Sequence, residues 1–297
     1  MNIIQSYWSK PVNAPKPETN WAARKAGGWN HKKYHYMSWA LSCLLLKRYY
    51  GSVVLITDEN GKDALINKLG LPYTKTVVQL DCLNHYHEDL WAVGKLYSYG
   101  IQTEPFIHFD NDVFVWDKFN NAILESDLIS QNIEIDFHFD VSILKEIFKH
   151  FDFIPDVIRK NPPTQKLVSC NAGVFGGCDH KFFASYSRQS FEFINANLGS
   201  IAKVNAGLSN IIFEQYLFSC LAREASKPIT YIFHEINNDY ERYLCNFQGV
   251  ARNTKYIHII GPYKKVANCE NWLADRLRFE FPEYYYHIMN LIEKSEL

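Results

Sequence analysis

The sequence predicts an α/β protein with a Rossmann-like, mixed and mostly parallel central sheet that is flanked by helices. Short apolar runs alternate with segments of helical periodicity through the first 116 residues. The connections are short, and parallel neighbours in a sheet need a crossover element, which the helices supply. Ligands of such sheets bind beyond the carboxyl ends of the strands, so the residues that follow each strand are the first candidates for a site.

The predicted elements begin in the order strand, helix, strand, helix, strand, helix, strand. The apolar runs predict strands at 2–8, 52–57, 76–80, 106–109, 167–170 and 256–260. Helical spacing predicts helices at 31–50, 62–69, 87–99, 181–196 and 209–224. The segment 117–166 has no clear period, and we expect it to be the variable part that shapes a pocket. No repeat or linker divides 1–297, so a single domain is expected.

Composition excludes several classes of protein. With 47% hydrophobic and 21% charged residues, a chain of 297 residues can bury one large core or two smaller lobes. Lys and Arg number 31 against 32 Asp and Glu, so no basic field attracts nucleic acid. No segment approaches the ~18 apolar residues of a membrane span, and the opening residues lack a signal-peptide pattern. We therefore expect a cytoplasmic protein, and a peripheral place at the inner face of the membrane stays open.

Cysteine and histidine give little sign of a zinc site. The seven cysteines form no CxxC pair and no other zinc-type spacing, so free, mostly buried thiols in a reducing compartment are the simplest account. Several histidines lie in polar stretches without acidic partners at metal spacing and are interpreted as surface or loop residues: His31, His35, His85 and His87.

The first candidate site is Asp110-Asn111-Asp112. Both acids follow the apolar run 106–109, and side chains two apart on extended backbone point to the same side. Like charges this close repel unless a cation neutralises them, and carboxylates suit Mn²⁺ or Mg²⁺, which also bridge diphosphate oxygens. An acidic turn that merely caps a strand is the alternative. The apolar run 113–116 weighs against it, because uncompensated charge inside a buried stretch is unfavourable.

Two later segments carry further candidates. In 170–177, Cys-Asn-Ala-Gly-Val-Phe-Gly-Gly, small residues let the backbone approach a ligand and Asn171 adds an amide, although a plain tight turn explains the segment as well. In 258–264, His-Ile-Ile-Gly-Pro-Tyr-Lys, an imidazole at a strand end precedes a Gly-Pro turn and a lysine. A third metal ligand at His258 and a phosphate clamp at Lys264 have this pattern. A lone histidine is more often a core or surface residue, and only the acid pair favours ligation here.

The three motifs occur in the order found in GT-A glycosyltransferases. The chain resembles glycosyltransferase family 8 and uncharacterised bacterial proteins related to it, from the first strand to about Lys265. Together the motifs are fairly specific. The resemblance implies a single GT-A domain in which 1–116 is the nucleotide-binding half. The remainder, 117–297, is then the acceptor- and sugar-binding half with the C-terminal metal-ligand motif.

The resemblance also implies roles for individual residues. Asp110 and Asp112 would form the DxD site for Mn²⁺ or Mg²⁺, with Asp110 also touching ribose, and His258 would complete the protein's share of the ligands. Lys264 would hold the diphosphate, and Gly261 would let the backbone approach it.

Further residues are implied around these. Additional nucleotide contacts would come from Gln5, Ser6, Tyr7, Lys95 and Asn111, although an ordinary surface lysine is a comparable interpretation of Lys95. Sugar contacts would come from Asn171, Ala172, Gly173 and Gln215. The segment Glu214-Gln215-Tyr216 stands where the family often has Asp-Gln-Asp. Because of this departure, the donor sugar and the stereochemical outcome stay open.

The expected activity is therefore that of a hexosyltransferase which moves a hexose from a UDP-sugar to an acceptor hydroxyl with retention of configuration. Lys264 and the cation would stabilise the charge that grows on the diphosphate. Gln215 would steady the sugar, and Glu214 is the candidate base if the reaction inverts. The acceptor stays open among a glycan, a lipid-linked sugar, a peptide and a small molecule.

Two alternatives belong to other classes. A sugar-phosphate nucleotidyltransferase uses a similar sheet, but a basic, glycine-rich loop is expected after its first strand, where this chain has Lys-Pro-Val-Asn-Ala-Pro-Lys-Pro at 10–17. A catalytically inactive, GT-A-like sugar-binding protein would explain the altered segment 214–216. It would have no need of the two acids and the histidine, however.

Overall fold

The computed structural model describes residues 1–14, 25–234 and 239–297. It is an α/β structure with a mixed, mostly parallel central sheet flanked by helices, which confirms the fold class predicted from the sequence. By its contacts the chain divides into two compact units. The terminal unit comprises 2–85, 109–119 and 239–297, and the middle unit comprises Met1, 86–108 and 120–238. The expectation of a single domain with halves that join at residue 116 stays a prediction.

The elements have the following bounds. The strands are β1 (Asn2–Tyr7), β2 (Val54–Thr57), β3 (Lys75–Val78), β4 (Phe106–Phe109), β5 (Val113–Val115), β6 (Ile129–Ile135), β7 (Val168–Cys170), β8 (Val174–Gly177), β9 (Thr230–Phe233) and β10 (Tyr256–His258). The α-helices are α1 (Lys10–Asn13), α2 (Lys32–Tyr50), α3 (Glu59–Lys62), α4 (Val93–Gly100), α5 (Asn121–Leu124), α6 (His138–His150), α7 (Asp156–Arg159), α8 (His180–Asn195), α9 (Ala206–Ile211), α10 (Leu217–Glu224), α11 (Tyr240–Tyr243), α12 (Ala267–Glu280) and α13 (Pro282–Glu293). Turns of 3₁₀ helix are Lys25–Gly28, Leu80–Leu83, Leu198–Lys203 and Gly261–Lys265, and turns of π-helix are Asp63–Lys68 and Ile212–Tyr216.

The terminal unit is built around helix α2. Parallel strands lie beside one another in the order β3-β2-β1. Helix α2 begins after His31, whose side chain accepts a hydrogen bond from the Lys33 amide, and it ends at Gly51. Every residue from 35 to 46 of α2 is buried, because α12 and α13 pack against a helix that already belongs to the core. The helix is thus a fixed support for the segments that cross it.

Strands β5 and β10 form a separate two-stranded antiparallel ribbon in the terminal unit. The register pairs Ile257 with Phe114 and His258 with Val113. All six ribbon residues are buried, and Ile257 and Phe114 belong to the same core cluster as α2. Antiparallel pairing joins two segments that are far apart in the sequence, so the ribbon decides which side chains meet at its end.

In the middle unit, strand β6 is the element with the most partners. It pairs with β7 and β8 in antiparallel and with β9 in parallel. Helices α4 and α8 pack together over this unit, where aromatic rings fill the core. Tyr99 lies 5.1 Å from Phe175, and Phe175 lies 4.3 Å from Phe218, measured between ring centroids. Most of the high aromatic content is therefore used as core, as bulky rings are in thick sheets.

Several expected elements differ from those observed. The segment 117–166, in which the sequence shows no clear period, contains β6 and the 13-residue helix α6. These elements were not predicted, because β6 buries polar side chains, Ser130, Gln131, Asn132 and Glu134, which hide the period of a strand. That this segment shapes a pocket stays a prediction. The helix expected at 209–224 is interrupted by the π-helical turn Ile212–Tyr216, and the one expected at 87–99 begins only at Val93. Helices α12 and α13 were not predicted.

Three smaller expectations can be compared with the structure. All seven cysteines are free, as predicted. The proline-rich stretch 11–17, in which the prolines disfavour regular structure, begins within the short helix α1, and residues 15–17 lie outside the described part of the chain. Among the residues that the structure describes, no helix has both the length and the apolar content needed to cross a bilayer.

Replacing Ile257 by Ala tests whether the ribbon is held by the core of the terminal unit. Ile257 is fully buried, so the change should lower the free energy of unfolding by about 2–5 kcal/mol, measured by urea denaturation. Ile135→Ala makes the same chemical change at a residue that is 37% exposed, and it should cost less than about 1 kcal/mol. If both variants lowered the free energy of unfolding equally, the burial of Ile257 in the core of the terminal unit would be contradicted.

Candidate metal centre

Asp110, Asp112 and His258 come together at one end of the β5–β10 ribbon. Asp110 and Asp112 follow β4 and precede β5, and the Val113 amide donates to the Asp110 carbonyl at 3.1 Å, which closes a tight turn. The register places His258 opposite Val113, one residue from Asp112. The Ile259 amide also donates to the Asp112 carbonyl at 3.1 Å. Backbone pairing therefore fixes the proximity of the acids and the histidine.

The three side chains offer a compact set of donor atoms. One ligand atom from each of Asp110, Asp112 and His258 lies within 4.8 Å of the others, and His258 Nε2 is 3.4 Å from Asp112 Oδ1. Asp112 and His258 are 4% and 3% exposed, whereas Asp110 is half-buried. Asp112 Oδ1 accepts no hydrogen bond within the described part of the chain. Two carboxylates and an imidazole, with one open side, fit a divalent cation such as Mn²⁺ or Mg²⁺.

Lys264 places a positive charge beside Asp112. Its Nζ lies 2.6 Å from Asp112 Oδ2 and donates to the Gly27 carbonyl at 3.1 Å. The ammonium also lies 5.9 Å from the centre of the Trp29 ring. Burial alone would raise the pKa of the Asp112 carboxyl, but Lys264 and His258 hold that pKa well below its usual range. The carboxylate is therefore ionised and ready for a cation at neutral pH.

The turn that carries Lys264 is open on the side of Gly261. Gly261 begins the 3₁₀ turn Gly261–Lys265 with a φ of 47°, a conformation that favours glycine, and Pro262 follows at the second position of the turn. A Cβ built on Gly261 would meet no atom of the described residues within 4 Å. The backbone there leaves space beside the turn, and contact of Gly261 with a diphosphate stays a prediction.

Two of the β1 residues that were predicted to contact a nucleotide have side chains that form contacts within the fold. The Gln5 side chain is fully buried, donates to Ser42 Oγ at 3.0 Å and accepts from the Tyr73 hydroxyl at 2.8 Å. Tyr7 is buried against His35, with 3.3 Å between the hydroxyl and Nε2. Ser6 is half-buried. Nucleotide contacts at these positions stay predictions.

Asn111, a further predicted nucleotide contact, differs from Gln5 and Tyr7 in the hydrogen bonding of its side chain. Its carbonyl accepts from Ser38 Oγ at 2.7 Å, which ties the acid turn to α2. Its side-chain Nδ2 is buried and donates to no atom of the described residues. A buried amide donor without a partner costs on the order of 1–3 kcal/mol, and such groups are retained where a ligand can satisfy them.

A family model matches residues 1–291, a range that includes every residue of the metal centre. The chain belongs to DUF6734, a family of unknown function. No curated protein matches the chain. The function of this DUF6734 protein must therefore be argued from its chemistry.

In the middle unit of the DUF6734 chain, the predicted sugar-binding turn is held rigidly. Asn171 accepts from the Gly173 amide at 3.0 Å and donates to Glu134 Oε1 at 3.0 Å. The Asn171 carbonyl accepts from Ser130 Oγ at 2.6 Å, and Ala172 offers its carbonyl to Lys95 at 3.4 Å. Both polar atoms of the Asn171 side chain are thus already engaged.

Lys95 and Glu214 form a buried ion pair in the same unit. Lys95 Nζ lies 2.8 Å from Glu214 Oε1, which also accepts from the Tyr99 hydroxyl at 2.8 Å. Glu214 is fully buried, and only 11% of the Lys95 side chain is exposed, so Lys95 is no ordinary surface lysine. Gln215 is half-buried and lies, with Glu214, in the π-helical turn Ile212–Tyr216. Single turns of π-helix occur frequently at functional sites.

Sequence reasoning missed three buried polar residues beside these candidates. His35 was expected at the surface but is buried, and burial, together with Lys264, lowers its pKa to about 3. It lies four residues before Trp39 on the buried face of α2, a spacing that could have revealed it. Glu134 and Asp140 are buried in the middle unit, and no motif marks either of them.

Asp140→Asn should stabilise the DUF6734 protein at pH 8 but not at pH 4. Burial raises the pKa of Asp140 well above its usual range, and the Glu134 carboxylate raises it further. Between pH ~4 and the raised value the unfolded chain ionises while the folded chain does not, so stability falls as pH rises. Asparagine does not ionise, so it removes that loss of stability. We expect the free energy of unfolding at pH 8, measured by urea denaturation, to rise by roughly 1–3 kcal/mol.

Glu146→Gln is the control for this change, because Glu146 lies on the same helix and its side chain is 51% exposed. It should leave the unfolding midpoint nearly unchanged at both pH values. An Asp140→Asn variant that is no more stable than wild type at pH 8 would show that the buried carboxyl carries no such penalty.

Proposed function

We propose that this DUF6734 protein is a metal-dependent glycosyltransferase that transfers a sugar from a nucleotide diphosphate sugar to an acceptor hydroxyl. The observation that carries the proposal is the buried cluster of Asp110, Asp112 and His258 with Lys264 in contact. A pyrophosphate leaving group needs its growing negative charge neutralised where the glycosidic bond breaks. A divalent cation bound by the two acids and the histidine would supply that Lewis-acid chemistry.

The protein's own residues have separable tasks in this reaction. Lys264 and His258 keep Asp112 ionised, and the backbone of the ribbon holds it in place, so its carboxylate is positioned to bind a cation. Lys264 would exchange its partner, leaving Asp112 Oδ2 for a phosphate oxygen as the cation takes over the neutralisation of Asp112. Gly261 leaves room for the diphosphate beside the turn. Each task follows from a contact or an open space in the terminal unit.

The middle unit supplies candidates for the sugar side. Glu214 is engaged by Lys95 and Tyr99, so service as a general base would first require that buried ion pair to open. Gln215 is half-buried, and its side chain forms no hydrogen bond within the described part of the chain. Gln215 is thus the more available of the two for contact with a sugar. This favours retention, in which no protein base is needed opposite the leaving group.

The two rival functions receive less support. A nucleotidyltransferase would need a basic, glycine-rich loop after β1, whereas residues 10–13 form helix α1. A sugar-binding protein without activity would have no use for a buried cluster of ionised groups, which is expensive in stability unless it serves a reaction. The transferase therefore explains the most unusual feature of the terminal unit.

The first test is thermal unfolding with UDP, GDP, CDP and ADP, each with and without Mn²⁺. One diphosphate, UDP by our proposal, should raise the melting temperature only when Mn²⁺ is present, because a cation held by Asp110, Asp112 and His258 would neutralise the diphosphate charge. At 100 times its Kd a ligand stabilises by about 2.7 kcal/mol. Asp110→Asn should abolish the effect. That variant is preferable to one at Asp112, whose loss would leave the buried Lys264 without its carboxylate.

Two outcomes would count against the proposal. If no nucleotide diphosphate stabilises the protein with Mn²⁺, the transferase loses its basis. If nucleoside triphosphates and sugar phosphates stabilise it instead, the nucleotidyltransferase becomes the better interpretation. Release of UDP from UDP-sugars, followed by a coupled assay, then separates an enzyme from an inactive binder.

Lys264→Met should have opposite effects on metal and on nucleotide. Without the ammonium, Asp112 is buried and unneutralised, so the metal-free variant should lose about 3–5 kcal/mol of stability. Mn²⁺ no longer competes with the lysine and should bind roughly tenfold more tightly, whereas Mn²⁺-dependent UDP binding should weaken by roughly tenfold or more, about 1.4 kcal/mol for each tenfold change. Calorimetric titration measures both affinities.

Lys265→Met is the matched control, because Lys265 is the exposed neighbour in the same turn. It should change neither affinity. Unchanged or weaker Mn²⁺ binding in Lys264→Met would contradict the exchange of Lys264 for a cation at Asp112.

A further inference from the structure

The terminal unit contains a second concave site that shares no residue with the metal centre. It is an open groove of about 900 Å³ beside the end of α2, the end of β5, the segment 247–252 and helix α12. Its lining includes Trp116, Phe247, Arg252, Trp272, Arg276 and Phe279. A volume of this size lies within the range of small-molecule sites.

The groove and the metal centre lie at opposite ends of β5. Asp112 directly precedes the strand, and Trp116 directly follows it. Four residues of extended chain span about 13 Å. A molecule in the groove is therefore separate from one bound by the acid pair.

The floor of the groove is fixed by a cluster around Glu280. Glu280 accepts a hydrogen bond from Trp116 Nε1 at 2.6 Å and pairs with Arg48 at 2.5 Å and with Arg276 at 3.5 Å. Only 9% of the Glu280 side chain is exposed, so its charge is neutralised inside the protein. Arg276 also donates to the Val250 carbonyl at 2.7 Å. The floor is thus rigid and already satisfied before any ligand arrives.

The rim, in contrast, carries aromatic and cationic groups that are partly or fully exposed. Phe279 is 79% exposed, with the Arg276 guanidinium 5.8 Å from its ring centre. Trp272 is half-buried beside Phe247, with 6.3 Å between the ring centroids. Arg252 is exposed and forms no ion pair with any residue that the structure describes. Exposed aromatic rings beside an uncommitted cation are characteristic of a binding surface.

The aromatic rings and the arginine at the rim indicate which class of ligand the groove would bind. Aromatic faces stack on flat apolar surfaces, and the C–H faces of sugar rings provide such surfaces in an open groove. The planar polar side chains of Arg252 and Gln248, both exposed in the lining, suit hydroxyl and carboxylate oxygens. With Glu280 neutralised and Asp275 near Arg278 at 3.7 Å, Arg252 gives the rim a cation that attracts negative charge.

We propose that this groove binds a saccharide that carries an anionic group, either a carboxylate or a phosphate. Phe279 and Trp272 stack on the sugar rings, and Arg252 binds the anion. The proposal is independent of the transferase reaction, because it needs neither the metal centre nor a nucleotide.

The test is binding to a printed array of glycans with carboxylate, phosphate or sulfate groups next to their neutral counterparts, with EDTA present and no nucleotide. Wild-type protein should bind members of the carboxylated or phosphorylated sets more strongly than their neutral counterparts. Phe279→Ala should weaken that binding about tenfold, and Arg252→Gln about three- to tenfold, with the second effect shrinking at high salt. Both side chains are exposed, so both variants should fold.

Lys265→Gln is the control, because Lys265 is an exposed cation of the terminal unit that does not line the groove. It should bind as wild type does. No binding to any acidic glycan, binding to neutral glycans of equal strength, or binding that survives both Phe279→Ala and Arg252→Gln would overturn the proposal. EDTA and the absence of nucleotide keep this result separate from success or failure of the transferase test.

Discussion

The contact between Asp112 and Lys264 is the constraint around which the terminal unit is arranged. A carboxylate that is 4% exposed can stay ionised only if a positive charge lies beside it, and Lys264 provides that charge at 2.6 Å. The lysine is held in turn by the Gly27 carbonyl and lies over Trp29. The acid is held by the β5–β10 ribbon. Two segments far apart in the sequence are therefore linked through one buried charge pair.

This arrangement also explains why a cation fits here. Lys264 binds Asp112 through Oδ2, which leaves Oδ1 facing His258 at 3.4 Å and without a hydrogen bond among the described residues. Asp110 is less buried and offers a second carboxylate within reach. In the metal-free site Lys264 thus neutralises Asp112. By our proposal the cation would take over that neutralisation, and Lys264 would pair with a phosphate oxygen.

Sequence patterns predicted the strands that are short apolar runs and the candidate site residues that interrupt such a run. Strands β1, β2, β4 and β10 are short apolar runs, and the two acids stand out because they interrupt one such run. The partnership of Asp112 with His258 was predicted from the residue types at the strand ends and from the resemblance, since spacing alone says nothing about two segments so far apart. Strand β6 was missed because its buried side chains are polar, and His35 was missed because polar neighbours in the sequence disguised a buried helix face. In each case tertiary contacts outweigh the local pattern.

The most direct test of the central claim is a crystal structure of the protein with Mn²⁺ and UDP, with anomalous data collected at the manganese edge. Our account predicts an anomalous peak about 2.0–2.3 Å from oxygens of Asp110 and Asp112 and from a ring nitrogen of His258. It also predicts that Lys264 Nζ has left Asp112 for a phosphate oxygen. An anomalous peak elsewhere, with Lys264 still on Asp112, would contradict the account.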